Sequence, residues 1–181
     1  MSDYITTFSK RHFKILEPDY DEIDIHDIAH SLSMLTRANG HFPIFYSVGQ
    51  HCVACAQEAL SSGLDGKTAL FCLLHDASEG YISDVTRPVK KYIPQYIEIE
   101  KRIQDAIYTK FAGKVPDETE SKNIAKTDDA LLYHEFYALM GERLSDAEPA
   151  LYSRPVFETE PFLRTEKKYI DMFNRLTMNL I

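Results

Sequence analysis

The run Ser47-Val48-Gly49-Gln50-His51-Cys52-Val53-Ala54-Cys55-Ala56-Gln57-Glu58-Ala59, with Ala69-Leu70-Phe71-Cys72-Leu73-Leu74-His75-Asp76 after Gly63, decides the fold. Ser47 suits an N-cap, since its hydroxyl can accept a bond from a free amide of a first helical turn. Val48, Cys52, Cys55, Ala56 and Ala59 recur at helical spacing and form one inward face until Gly63. A further helix from about Gly66 delivers His75-Asp76 at its far end. The interval from His51 to His75 accommodates a helix, a turn and an antiparallel return, so side chains from separate helices converge on a bundle interior.

The same periodicity extends outward in both directions. A first helix is expected from about Glu22 to Arg37, with Ile25, Ile28, Ala29, Leu32 and Leu35 inward and Asn39-Gly40 ending it. A polar connection rich in helix breakers runs from Gly80 to Pro94. Long polar connections in compact helical domains are commonly functional. Helices are expected from Pro94 to about Phe111, using Ile97, Ile103, Ile107 and Phe111, and from about Thr119 to Leu144, using Ile124, Leu131, Leu132 and Leu139. After a proline-containing loop from Ser145 to Pro161, a last helix groups Ile170, Phe173, Leu176 and Leu180. With only seven glycines and no repeat or linker, the expectation is an all-α fold forming a single domain over residues 1–181.

Composition narrows the function classes. At 44% apolar and 27% charged residues, the chain belongs with globular proteins rather than disordered or membrane ones. No apolar stretch approaches the roughly 18 to 20 residues that span a bilayer, and Met1-Ser2-Asp3-Tyr4 lacks the features of a signal peptide, so a cytoplasmic location is expected. The three cysteines, Cys52, Cys55 and Cys72, are odd in number and lie in apolar context, unlike a disulfide framework. Cys52-Val53-Ala54-Cys55 reads as two small core residues, because no strand leads into it and no second pair completes a zinc site. A net charge of −8 disfavours binding of long nucleic acids but leaves small anionic ligands open.

His51, His75, Asp76 and Asp128 together suit one divalent metal ion, Mn, Co, Fe, Zn or Mg, with positions left for water and a phosphate oxygen. That chemistry points to phosphate-ester hydrolysis. The dipeptide His75-Asp76 matters because it ends an apolar run, and a buried polar pair needs a shared partner. The other such pair, His26-Asp27, reads as a helix start, with Asp27 favouring the positive end. Asp128 and Asp129 each sit at helical spacing from apolar neighbours, and periodicity does not choose between them. His30, between Ala29 and Ser31, reads as a hydrogen-bonded core histidine, and His134 carries no assigned role.

The strings Tyr46-Ser47-Val48-Gly49-Gln50-His51, His75-Asp76-Ala77-Ser78-Glu79 and Ile124-Ala125-Lys126-Thr127-Asp128 resemble the HD-domain phosphohydrolases over roughly residues 23–140. The likeness is greatest to bacterial 5′-deoxynucleotidases and phage-type dATP triphosphohydrolases. It selects Asp128 as the last ligand and implies an HD-type helical bundle with one catalytic divalent metal. It also implies that Arg37 binds phosphate, Glu79 handles the attacking water, and Asp84 accepts a hydrogen bond from the sugar 3′-hydroxyl. Lys90, in Arg87-Pro88-Val89-Lys90, becomes a second phosphate cation, and His41, in Asn39-Gly40-His41, a pocket residue. The implied substrate is a small deoxynucleotide, and lookalikes are commonly homo-oligomers. Gly80-Tyr81-Ile82 departs from the cyclic-dinucleotide phosphodiesterase signature, and Gly80 replaces the extra acid of the alarmone hydrolases. A broader phosphomonoesterase and a non-catalytic nucleotide-binding module remain the alternatives.

Overall fold

The computed structural model describes residues 3–178. The chain is all-α, with 61% helix against 5% strand. The strands, β1 (Tyr4–Thr6) and β2 (His12–Lys14), form an antiparallel hairpin that pairs Ile5 with Phe13. Its turn is tied to the first helix, α1 (Ile25–Met34), where the Ser9 amide and hydroxyl each donate to Asp27 at 2.7 Å. Asp27 does lie in the first turn of α1, and its carboxylate also anchors the hairpin.

α1 is shorter than the Glu22–Arg37 span expected. Asp24 caps it by accepting from the His26 amide, and Leu35 already has extended backbone. Thr36 then pairs with Ser47, and the Arg37 amide donates to Tyr46 O at 2.9 Å. These bonds between the two segments replace the next helical turn and free Arg37 to reach inward. Asn39-Gly40 therefore ends a tight turn, Arg37–Gly40, rather than the helix.

α2 (Val48–Ser61) starts at Ser47 with a reciprocal capping box to Gln50, and α3 (Gly66–Leu74) starts at Asp65, which accepts from the Thr68 amide. The polar connection folds into two short helices, α4 (Glu79–Ile82) and α5 (Arg87–Lys90). α6 (Pro94–Ala112) ends at Gly113, whose φ of 75° closes the helix without a Cβ penalty. Ile103 and Ile107 are buried as expected, but Ile97 is exposed; its place against the core is taken by Ile99. α7 (Glu118–Met140) stops at Gly141, short of Leu144, and keeps Ile124 and Leu131 buried with Leu132 and Leu139 half-buried. α8 (Phe162–Met178) buries Phe173 and Leu176 and partly buries Ile170; Leu180 lies outside the described residues.

α2 and α3 form the centre, and α1, α7 and α8 pack against α2. Leu70, Phe71, Leu73 and Leu74 of α3 are fully buried, each contributing roughly 1.5–3 kcal/mol. All three cysteines are buried and free. Among the described residues no helix is long and apolar enough to cross a membrane.

Candidate metal centre

Three helices bring four donor atoms to one point. His51 comes from the second turn of α2, His75 and Asp76 from the end of α3, and Asp128 from the middle of α7. His51 Nε2 lies 3.3 Å from His75 Nε2 and 3.1 Å from Asp128 Oδ1. His75 Nε2 lies 3.3 Å from Asp76 Oδ2 and 3.8 Å from Asp128 Oδ1. Ligands about 2.0–2.2 Å from one ion stand roughly 3 to 3.5 Å apart when adjacent, so these separations fit the edges of a coordination shell.

The outer nitrogens fix the direction of the inner ones. His75 Nδ1 donates to Cys72 O at 2.8 Å, and His51 Nδ1 donates to Glu135 Oε1 at 2.6 Å. With those protons on Nδ1, both Nε2 lone pairs face the carboxylates across the centre. Four lone-pair donors converging in this way require positive charge between them. Burial, joined at His51 by Arg37, disfavours charged imidazoles, yet Cys55, Glu135 and Asp128 at His51, and Asp76 and Asp128 at His75, push both histidines well above their ordinary proton affinity. Burial likewise raises Asp76 and Asp128, but His75 with Arg37 holds the Asp76 carboxyl, and His51 with His75 the Asp128 carboxyl, far below the usual range. The donor chemistry thus fits a divalent cation.

Arg37 underlies this centre from the side. It is buried, with guanidinium nitrogens 3.4 Å from Asp76, 3.3 Å from Glu135 and 3.9 Å from Asp128. Burial opposes its charge, but Glu135 and Asp76 keep it protonated. Three carboxylates, Asp76, Asp128 and Glu135, therefore lie within 3.9 Å of one buried guanidinium.

A cavity of about 530 Å³ opens above these groups. Its lining includes the polar Arg37, Asp76, Glu79, Asp84, Lys90 and Asp128 and the apolar Phe42, Leu132, Phe136 and Met140. His41 lines it as well but is exposed. Glu79 is buried, and its Oε2 has no hydrogen-bond partner. Burial, with Asp76 and Asp84 adding, lifts its carboxyl well above the ordinary value. Burial also raises Asp84. Asp84 follows Ser83, whose φ of 70° is strained for a residue with a side chain. Ala38, which also lines the cavity, and Asn39 beside it have positive φ as well.

All the residues picked out from sequence reach this region, although Lys90 is not a free cation. Its ammonium sits 2.5 Å from Glu100 and 3.6 Å from Glu79. Asp129 is turned outward and bonds Arg87 at 2.6 Å, and Arg87 also bonds Asp128. The sequence reading missed Glu135 and the Arg87 contact. Glu135 lies seven residues after Asp128, two helical turns along one stripe, and that spacing is the signal that marks it. His30 bonds Glu166 at 3.0 Å and stacks on Phe8, and His134 bonds Pro149 O, so both serve packing.

No protein-family profile matches the chain. It is 40% identical over 108 residues to the uncharacterized protein YfdR of Escherichia coli (strain K12), covering 60% of this chain and 58% of that protein. An uncharacterized protein of Rhodobacter capsulatus is 33% identical over 108 residues, covering 57% of this chain and 55% of its own. The chain therefore matches little more than half the length of these curated relatives.

Proposed function

We propose that the protein is a metal-dependent phosphohydrolase that cleaves 2′-deoxynucleotides between the nucleoside 5′-oxygen and the α-phosphorus. The observation that carries this reading is the convergence of His51, His75, Asp76 and Asp128 beside a cavity lined by both charged and aromatic side chains. A divalent cation held by those four residues would supply positive charge and Lewis acidity to a phosphate oxygen.

The chain's own groups then divide the work. Arg37 offers a planar fork suited to phosphate oxygens, and its burial makes it a fixed rather than a solvated charge. Glu79, with a free oxygen and a raised proton affinity, takes the proton from the attacking water. As the water oxygen bonds to phosphorus, the bond to the 5′-oxygen breaks, and that oxygen takes up the proton held by Glu79 as the neutral deoxynucleoside leaves. A monophosphate substrate yields phosphate, and a triphosphate yields triphosphate. Asp84, half-buried in the cavity wall, accepts a hydrogen bond from the 3′-hydroxyl, a discriminator because its loss strands a partly desolvated carboxylate. Phe42 and Phe136 give the base an apolar bed. A volume of about 530 Å³ falls in the usual range for small-molecule sites.

The test is turnover of a panel of deoxynucleoside mono- and triphosphates with Mn²⁺ or Co²⁺, with the products separated by ion exchange. Deoxynucleoside release is expected, falling at least about a hundredfold in Asp76→Ala and in Glu79→Gln, as for loss of a group that acts in proton transfer or charge stabilisation. Equal turnover of unrelated phosphomonoesters would favour the broader esterase, and activity that survives Asp76→Ala would refute the assignment.

A further inference from the structure

Three of the four candidate ligands are held from outside by a hydrogen bond: His51 by Glu135, His75 by Cys72 O and Asp76 by Arg37. Asp128 is held as well, but its partner comes from the polar connection rather than the core. Its Oδ1 lies 3.1 Å from His51 Nε2 and 3.8 Å from His75 Nε2, while its Oδ2 accepts a bond from Arg87 Nη2. Arg87 Nη1 donates to Asp129 Oδ1 at 2.6 Å, so one guanidinium spans two successive aspartates of α7. The side chains of Arg87 and Asp129 are 60% and 59% exposed, and an ion pair so open to water adds only about 0–1 kcal/mol to stability. What the contact supplies is direction, because with Oδ2 held, Oδ1 stays turned to the point where the histidines converge. Arg87 also opens α5, three residues after Asp84, and Lys90 at the other end of α5 bonds Glu100 of α6 at 2.5 Å. The part of the cavity wall that carries Asp84 is thereby fastened to a candidate ligand.

From this geometry we propose that Arg87 is a positioning residue for the cation: it holds Asp128 Oδ2 so that Oδ1 is presented to a divalent ion. The inference rests on the reading of His51, His75, Asp76 and Asp128 as cation ligands and adds to it an exposed residue outside that set. Loss of an outer partner of a ligand typically costs about 10- to 100-fold in metal affinity. Charge alone acts in the opposite sense. A guanidinium close to a divalent cation repels it, so deleting that charge without any positioning effect tightens cation binding. The sign of the change therefore separates the two roles. Lysine in place of Arg87 keeps the charge, but its ammonium is a point donor on a flexible stem and lacks the planar fork that engages Asp128 and Asp129 together.

The experiment is a calorimetric titration of Mn²⁺ into the EDTA-stripped full chain, with melting temperatures measured in parallel. Affinity is expected to fall about tenfold in Arg87→Gln, or in Arg87→Met if the glutamine variant misfolds, and by a smaller factor in Arg87→Lys. Lys126→Gln, which removes an exposed charge two residues before Asp128 on α7, should change it by less than about twofold. Without metal, the Tm of Arg87→Gln should stay within about 2 °C of the unmodified protein, since the exposed pair adds little to stability. Affinity that is unchanged or tighter in Arg87→Gln would overturn the inference and leave the cation reading standing. An equal loss in Lys126→Gln would assign the effect to net charge and overturn it too, as would a metal-free Tm that drops well beyond that range, which would make Arg87 a residue of the fold. Absence of both a binding heat and a Mn²⁺-dependent rise in Tm in the unmodified protein would remove the cation reading and this inference together.

Discussion

At the scale of single residues, the centre depends on one side chain that does not face the cavity. Glu135 is fully buried, and it joins His51 Nδ1 at 2.6 Å to Arg37 at 3.3 Å. Burial raises its carboxyl, but His51 and Arg37 more than offset that and hold it ionised. A glutamate so deep is rarely found unless paired, and here it orients a candidate ligand and neutralises a guanidinium at once. Glu135→Gln keeps the volume and one acceptor but removes the charge. Affinity for Mn²⁺ or Co²⁺ is expected to fall about 10- to 100-fold, measured by calorimetric titration, and an unchanged affinity would show that His51 needs no such anchor. The four converging residues were legible in sequence because ionisable side chains inside apolar runs are costly and therefore conspicuous. Asp128 was separated from Asp129 only by resemblance to a family, and the reason lies in packing: Asp129 is 59% exposed and bonds Arg87, whereas Asp128 faces the histidines. Lys90 looked like a free cation because its restraint comes from Glu100 on another helix, a contact that no local periodicity encodes.

At the scale of elements, the site keeps its shape because α1, α2 and α8 meet closely at Gly49, two residues before His51. A Cβ at Gly49 would stand 3.1 Å from the Ser33 backbone nitrogen, 3.1 Å from Thr165 Cγ2 and 3.2 Å from the Leu32 carbonyl carbon. Two of those neighbours are main chain and cannot rotate away. Gly49→Ala gains up to about 1 kcal/mol of helix propensity, but overpacking against backbone costs about 1–3 kcal/mol. The net expectation is a loss of roughly 1 kcal/mol, read from chemical denaturation, and a stabilised variant would show that the helices separate easily. The start of α2 was legible because Ser47 and Gln50 form a local capping box. The end of α1 was not, since it depends on Thr36 pairing with Ser47 and on the Arg37 amide reaching Tyr46. For the same reason the face of α6 was misjudged at Ile97, where the helix runs past the core before Ile99 and Ile103 engage it.

At the scale of the whole molecule, the helical class was readable from spacing alone, whereas the hairpin of three-residue strands is too short to carry a period. What periodicity cannot supply is the joining of distant segments, and the candidate centre does that across 24 residues from His51 to His75 and 77 from His51 to Asp128. An ion bound there holds α2, α3 and α7 together and finds no such site in the unfolded chain. Its free energy of binding is then also stability, about 2.7 kcal/mol at a hundred times Kd. For a domain of this size each kcal/mol moves the melting temperature by roughly 2–4 °C, so saturating Mn²⁺ or Co²⁺ should raise Tm by about 5–10 °C. A net charge of −8 means that cations could also stabilise non-specifically by screening, which requires two controls. Sodium chloride at matched ionic strength should not reproduce the shift, and Asp128→Asn should abolish most of it, since it removes a charge from the centre while changing the global charge by only one. EDTA should restore the lower Tm. A shift that is equal in Asp128→Asn and the unmodified protein would assign the stabilisation to the acidic surface, and the converging side chains would then be held by Arg37 and protons alone.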